Sequence, residues 1–204
     1  MVCSDERDGR RRMRDSQPGG ADVPAVAVEV FAVLVRRSAE VSDLVADLLA
    51  RPVRARLLGQ DEIPAIRPPG LARLRTTGPV VHRHVRLDDS LPPHLPVAVI
   101  WALIVPWRLP EPVRAALRDG PEPLDRLLVR HAVRWSAEAV EGQVHTVEDG
   151  STLYPWAEPA APLVEQTRLV TVEGAGPVAA TIDEVPFLRP RTDATTPLLP
   201  RHPG

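Results

Sequence analysis

Leu95-Pro96-Val97-Ala98-Val99-Ile100-Trp101-Ala102-Leu103-Ile104-Val105-Pro106 is an almost unbroken apolar run closed by a proline. A short, β-branched run of this kind reads as a strand covered on both faces, and so as a central strand of a sheet over Val97 to Val105. Upstream, Pro79 to Leu87 alternates between residue types. The turn signals Asp88, Asp89, Pro92 and Pro93 separate the two segments. They read as an antiparallel pair.

Working towards the N-terminus, Val53 to Gln60 alternates and reads as a further strand, followed by a loop rich in Pro64, Pro68, Pro69 and Gly70. Before it, Val26, Val30, Val33 and Leu34, then Val41, Leu44, Val45, Leu48 and Leu49, recur at helical spacing. The spacing predicts two helices joined by a turn around Ser38, the second opened by Ser42 as N-cap and stopped near Arg51-Pro52.

Towards the C-terminus, Val113, Leu117, Leu124, Leu127 and Leu128 predict helix interrupted at Gly120-Pro121. A strand is expected from His131 to Val140. Two more, Val164 to Glu173 and Pro177 to Leu188, flank Gly174-Ala175-Gly176, a strong hairpin signal. The stretch 141–162 reads as a long loop and a candidate lid. Helices, strands, a helical insert and more strands make an α+β order: an antiparallel sheet with helices packed over it. We expect a polar N-terminal tail at 1–23, a folded domain at 24–188 and a Pro-rich tail at 189–204.

The chain has 204 residues, 44% hydrophobic and 25% charged, enough for one ordinary globular domain. A net charge of −2 provides no field for a polyanion partner, so no nucleic-acid partner is expected. All 25 basic residues are Arg, the imprint of GC-rich coding. The lone Cys3 excludes a disulfide scaffold, no apolar run approaches a membrane span, and Arg10 to Arg14 lead into no secretory stretch. A cytoplasmic protein without a membrane partner is the expectation.

The chain carries no Gly-rich phosphate loop, nucleophile elbow or His-Glu-x-x-His pair. His82 and His84 share a strand face but lack a third ligand at metal spacing, and read as a partly exposed strand edge. Trp101 and Trp107 read as core packing. Asp88-Asp89 and Glu148-Asp149 read as loop-capping acids.

Several segments, taken in order, resemble the chorismate pyruvate-lyase family. They are Ala39-Glu40-Val41-Ser42, Arg51-Pro52-Val53, Gln60-Asp61-Glu62-Ile63-Pro64 and Arg83-His84-Val85-Arg86-Leu87. They continue with Ile104-Val105-Pro106-Trp107-Arg108-Leu109, Glu122-Pro123-Leu124-Asp125-Arg126-Leu127-Leu128, Arg168 to Glu173, Gly176-Pro177 and Thr181 to Pro186. The family eliminates pyruvate from chorismate to leave 4-hydroxybenzoate.

The resemblance implies that Arg83 holds the ring carboxylate, a role suited to its planar fork, with Arg86 as competitor. It implies a backbone contact at Leu124 and an apolar pocket wall at Val41. The family's last-strand glutamate falls on Ile182, its second arginine on Ala102 and a signature glycine on Asp125. Ile182 and Glu184 share a strand face, so Glu184 is expected as the inward catalytic acid beside Arg83, with Asp183 solvated or near the sheet edge.

The implied partner is a small aromatic or cyclohexadienyl carboxylate, with no metal and no organic cofactor. The main reading is a chorismate-lyase-like enzyme of secondary metabolism. Its alternative is a divergent relative without lyase chemistry: a small-carboxylate-binding domain, or an enzyme of another class reusing the pocket.

Overall fold

A computed structural model describes residues 25–38, 40–64, 71–148, 151–154 and 161–187. The expected tails at 1–23 and 189–204, together with Ala39, lie outside the described residues. The chain opens with α1 (Ala25–Arg37) and α2 (Val41–Leu49), then β1 (Val53–Ile63), the one-turn α3 (Leu71–Leu74), β2 (Val80–Asp89) and β3 (Pro96–Ile104). After a 3-10 turn at Pro106–Arg108 come α4 (Glu111–Asp119), α5 (Leu124–Arg130), β4 (Trp135–Thr146), β5 (Pro162–Val172) and β6 (Gly176–Pro186).

The six strands form one antiparallel sheet in the order β1-β2-β3-β6-β5-β4. The apolar run is therefore central, as its composition requires. Gly174 and Gly176 hold φ of +79° and +77° between β5 and β6, a conformation that costs an L side chain but not glycine.

Two helix pairs cover one sheet face. Phe31, Ala32 and Val35 of α1 and Val41 and Val45 of α2 pack on Val85, Leu87, Ala98, Ile100 and Val185. Val113 and Leu117 of α4 and Leu124, Leu127 and Leu128 of α5 pack on Ala102, Ile104, Val170, Val172 and Ala179. The opposite face is covered at one end by α3, whose Leu74 meets Val80, Val105 and Ala180. Val147 and Tyr154 lie over Val99 towards the other end. No helix among the described residues is long and apolar enough to cross a membrane.

Several local expectations are corrected. Ser42 does not cap α2: the N-cap is Glu40, without a side-chain cap bond, and Ser42 is buried inside the helix. The strand expected from His131 begins at Trp135, because His131 and Ala132 (φ +53°) complete the C-terminus of α5. The first part of the supposed lid, Glu141 to Thr146, is strand paired with Pro162 to Thr167. Its polar composition follows from its place on the edge strand β4, where most side chains face water.

Trp107 is 44% exposed and is not core. His82 and His84 lie on β2, one strand in from the edge, and the His84 ring stacks on Trp101 with centroids 3.4 Å apart. Of the Asp88-Asp89 pair only Asp89 caps the turn, accepting the Leu91 N–H at 2.9 Å and held by Arg51 at 3.0 Å. Asp88 lies in β2 and binds Arg86 at 2.6 Å, and Asp149 lies outside the described residues.

Candidate functional site

Strand register decides which side chains meet under the helices. Arg83 on β2 lies opposite Ala102 on β3, Ala102 opposite Thr181 on β6, and Thr181 opposite Arg168 on β5. One row across four strands thus carries two arginines separated by a small residue and a hydroxyl. In the next row Val85 faces Ile100, Ile100 faces Asp183, and Asp183 faces Gln166. The two rows, Gln166 excepted, and a roof of Pro123, Leu124 and Asp125 at the start of α5 line a small, largely enclosed cavity of about 20 Å³ at the seam between the helix pairs. That volume is on the order of one water molecule.

The cavity has two chemically distinct ends. At one, the buried Arg83 spends its guanidinium on carbonyls. Nη1 donates to Leu117 O at 2.7 Å and to the Gln60 amide oxygen, and Nη2 to Gly120 O at 2.5 Å and Glu122 O at 3.1 Å. These acceptors include the last carbonyls of α4, which a helix end leaves without intrahelical partners. Arg83 Nε has no partner. With no carboxylate beside it, burial pulls the Arg83 pKa down to about 10.

At the other end, Arg168 Nε and Nη2 both reach Asp183 Oδ2 at 2.6 Å, and Arg168 Nη1 donates to Ser38 O at 2.8 Å. Asp183 is completely buried, and its Oδ1 has no partner. Burial pushes its pKa up while Arg168 and Thr181 pull it down. Asp125 accepts the Arg126 backbone N–H on Oδ1 at 2.8 Å and leaves Oδ2 buried and unpartnered. Burial raises Asp125 to about 6.

Of the residues singled out in the sequence, Arg83, Leu124 and Asp183 converge on this cavity. Val41 does not line it: it is fully buried in the core between α1, α2 and the sheet. Arg86 points to the other sheet face and binds Asp88.

The orientation expected for β6 is reversed. Thr181 and Asp183 face the cavity. Glu184 faces the opposite side, near Glu165, His145 and Tyr154, and Ile182 is 38% exposed. Burial, then Glu165, raises the Glu184 pKa there.

The physical reason is pairing. Arg168 opposite Thr181 puts a cation on the Asp183 face, and an ion pair buries the acid where an isolated carboxylate would stay out. Arg168 was missed in the sequence. Counting back from the Gly174–Gly176 turn would set Arg168 opposite Ala180; a register shift between Val170 and Thr171 moves it opposite Thr181, and nothing in the sequence announces that shift.

No protein-family model matches the chain, and no curated protein matches it in sequence. Solved structures match its fold. The effector domain of PhnF from Mycobacterium smegmatis is 11% identical with a TM-score of 0.53, covering 73% of this chain and 89% of that domain. A second PhnF structure from the same organism also gives 11% and 0.53, covering 74% of this chain and 64% of that one. The possible transcriptional regulator YydK from Bacillus subtilis is 8% identical with a TM-score of 0.50, covering 68% and 59%. At these identities the likeness shows a shared fold, an antiparallel α+β architecture related to the chorismate lyase fold. The resemblance read from the sequence is supported at the level of the fold.

Proposed function

We propose that the chain is a small-molecule-binding domain of the effector type, spanning residues 24–188, whose ligand seat at the seam between α1–α2 and α4–α5 is closed down to a one-water cavity in this structure. The observation that carries this reading is a buried cavity in which Arg83 Nε, Asp125 Oδ2 and Asp183 Oδ1 all lack partners. Buried polar atoms are ordinarily satisfied, and clusters of exceptions mark places where something else completes the bonding. The term effector domain, as applied to PhnF, supports the same reading.

The lyase reading is less well supported. It needs an inward acid at the hydroxyl end of the substrate, yet Glu184 faces away and the Asp183 carboxylate is held by Arg168. The expectation of no nucleic-acid partner is set aside, since a domain of this type serves a regulator. Residence in the cytoplasm fits that role.

The test has two arms. Incubation with chorismate is expected to release no pyruvate, and release above the uncatalysed background overturns the reading in favour of the enzyme. A thermal-shift panel of small polar metabolites is expected to contain at least one that raises the melting temperature, because a ligand at 100 times its Kd stabilises by about 2.7 kcal/mol. A panel without any shift overturns the binding function.

A further inference from the structure

We propose that the outer face of α1 is a self-association surface, on which a second copy of the chain lays its own α1 antiparallel across a two-fold axis. This goes beyond the binding-domain reading and does not depend on it.

The composition of α1 is the first argument. Glu29 is its only polar side chain before the closing Arg36 and Arg37. At about 3.6 residues per turn, Phe31, Ala32 and Val35 share the side that is buried against the sheet. Val26, Val30, Val33 and Arg37 point the opposite way, with Ala27 and Leu34 along one flank and Glu29 and Arg36 along the other. A helix that faces water is ordinarily polar on its outer side, and one that is apolar all round is ordinarily covered all round. Yet Val26 is 70% exposed, Val30 55%, and Val33 and Leu34 43% each. One exposed aliphatic side chain needs no explanation, but four in one stripe make a contiguous patch of the kind that marks an interaction surface.

The order of charges names the occupant. Val26, Val30 and Val33 recur at intervals of four and three, the spacing of a coiled-coil seam. When two such helices run antiparallel with Val30 against Val33 of the second copy, Leu34 meets Ala27 of the second copy. On the other flank Glu29 meets Arg36 of the second copy, and the two-fold axis repeats each contact. The stem of Arg37 then lies along Val26 of the second copy with its charge at the rim. In parallel orientation the same helices set Glu29 beside Glu29 and Arg36 beside Arg36. The surface is therefore complementary to itself in the antiparallel orientation, as an isologous interface requires. Arg36 can turn to this pairing, since it is exposed and its bond to Gly142 O is long at 3.4 Å. A lipid surface is a poorer match, because helices that lie on membranes carry Lys and Arg along the polar side.

Sedimentation velocity of the full chain at physiological salt, over a concentration series from about 1 to 200 μM, tests the proposal. One helix face from each copy is at the small end of specific interfaces, so a dimer with a Kd in the micromolar range is expected. Val30→Glu places a charge in the middle of the stripe without touching the core. It is expected to raise the Kd at least about tenfold with an unchanged melting temperature.

Charge exchange reads the orientation. Glu29→Arg and Arg36→Glu are each expected to raise the Kd about fivefold, because each sets like charges together twice. The double exchange is expected to return it to within about twofold of the parent. A dimer indifferent to Val30→Glu, or single charge variants that the exchange fails to rescue, overturns the proposal. So does a chain that stays monomeric throughout, and pelleting of that monomer with phosphatidylcholine vesicles would identify a lipid surface as the occupant instead.

Discussion

Asp183 receives Nε and Nη2 of Arg168 on a single oxygen, Oδ2, at 2.6 Å each, while Oδ1 beside it has no partner. Both side chains are buried. Removing one member of such a pair strands the other charge in low dielectric. Asp183→Leu and Arg168→Met are each expected to lower stability by about 3–5 kcal/mol. The double variant is expected to be less destabilised than the sum, because it strands neither charge. Urea unfolding of the four proteins measures the coupling, and additive losses would show that the pair does not act as a unit.

Arg83 is expected to behave as a structural arginine even though it lines the cavity. Its two Nη atoms satisfy carbonyls of Leu117, Gly120 and Glu122, which Arg83→Met leaves unpaired. The expected loss is about 3 kcal/mol, seen as a fall in melting temperature of roughly 10 °C for a domain of this size. Lysine lacks the fork and restores only part. An Arg83→Met protein that melts with the parent would return Arg83 to the role of a ligand-binding residue.

Asp125 imposes a pH dependence whose sign follows from its raised pKa. Its value rises from 3.8 to about 6 in the folded chain, so the native state holds the proton more tightly than the unfolded state. This contribution is fully present below 3.8 and is lost as pH climbs to about 6. Asp125→Asn is expected to flatten that part of the stability profile and to gain on the order of 1–3 kcal/mol at pH 7.5. Thermal melts of both proteins from pH 4 to 8 check it. A parallel pair of profiles would mean that Asp125 titrates normally.

At the β5–β6 turn, Gly176→Ala is expected to cost about 1 kcal/mol through backbone strain alone, since φ is +77° and a Cβ there meets nothing within 4 Å. Gly120→Ala is the control. Its φ of −130° suits any residue, and its Cβ sits 3.4 Å from the Ala116 carbonyl. Equal losses at the two sites, in denaturant melts, would remove the conformational explanation.

The sheet was legible because its signals are local. An apolar run names a central strand, alternation names its neighbours, and a Gly-x-Gly turn closes a hairpin. The far half of β4 was not legible, because an edge strand with most of its side chains in water carries no apolar pattern.

For the site, parity along β6 was readable but its sense was not. The resemblance set Ile182 at the family's inward glutamate position, yet Ile182 is 38% exposed and Asp183 is fully buried. A buried ion pair decided the face instead, because Arg168 on the adjacent strand draws Asp183 inward. The role of Arg83 was missed for a related reason. Its partners are main-chain carbonyls of a helix end, and backbone acceptors have no signature in the sequence.

Arg168 also touches something outside the cavity. Its Nη1 holds the carbonyl of Ser38, in the turn that joins α1 to α2. One side chain therefore binds at once the interior acid and the carbonyl that ends the first helix's turn, at Ser38. Any coupling that Arg168 carries between the Asp183 carboxylate and that turn is reciprocal, so the two ends bias each other by the same coupling free energy. A change at the buried acid is therefore expected to register first in the seating of α1 and α2 on the sheet.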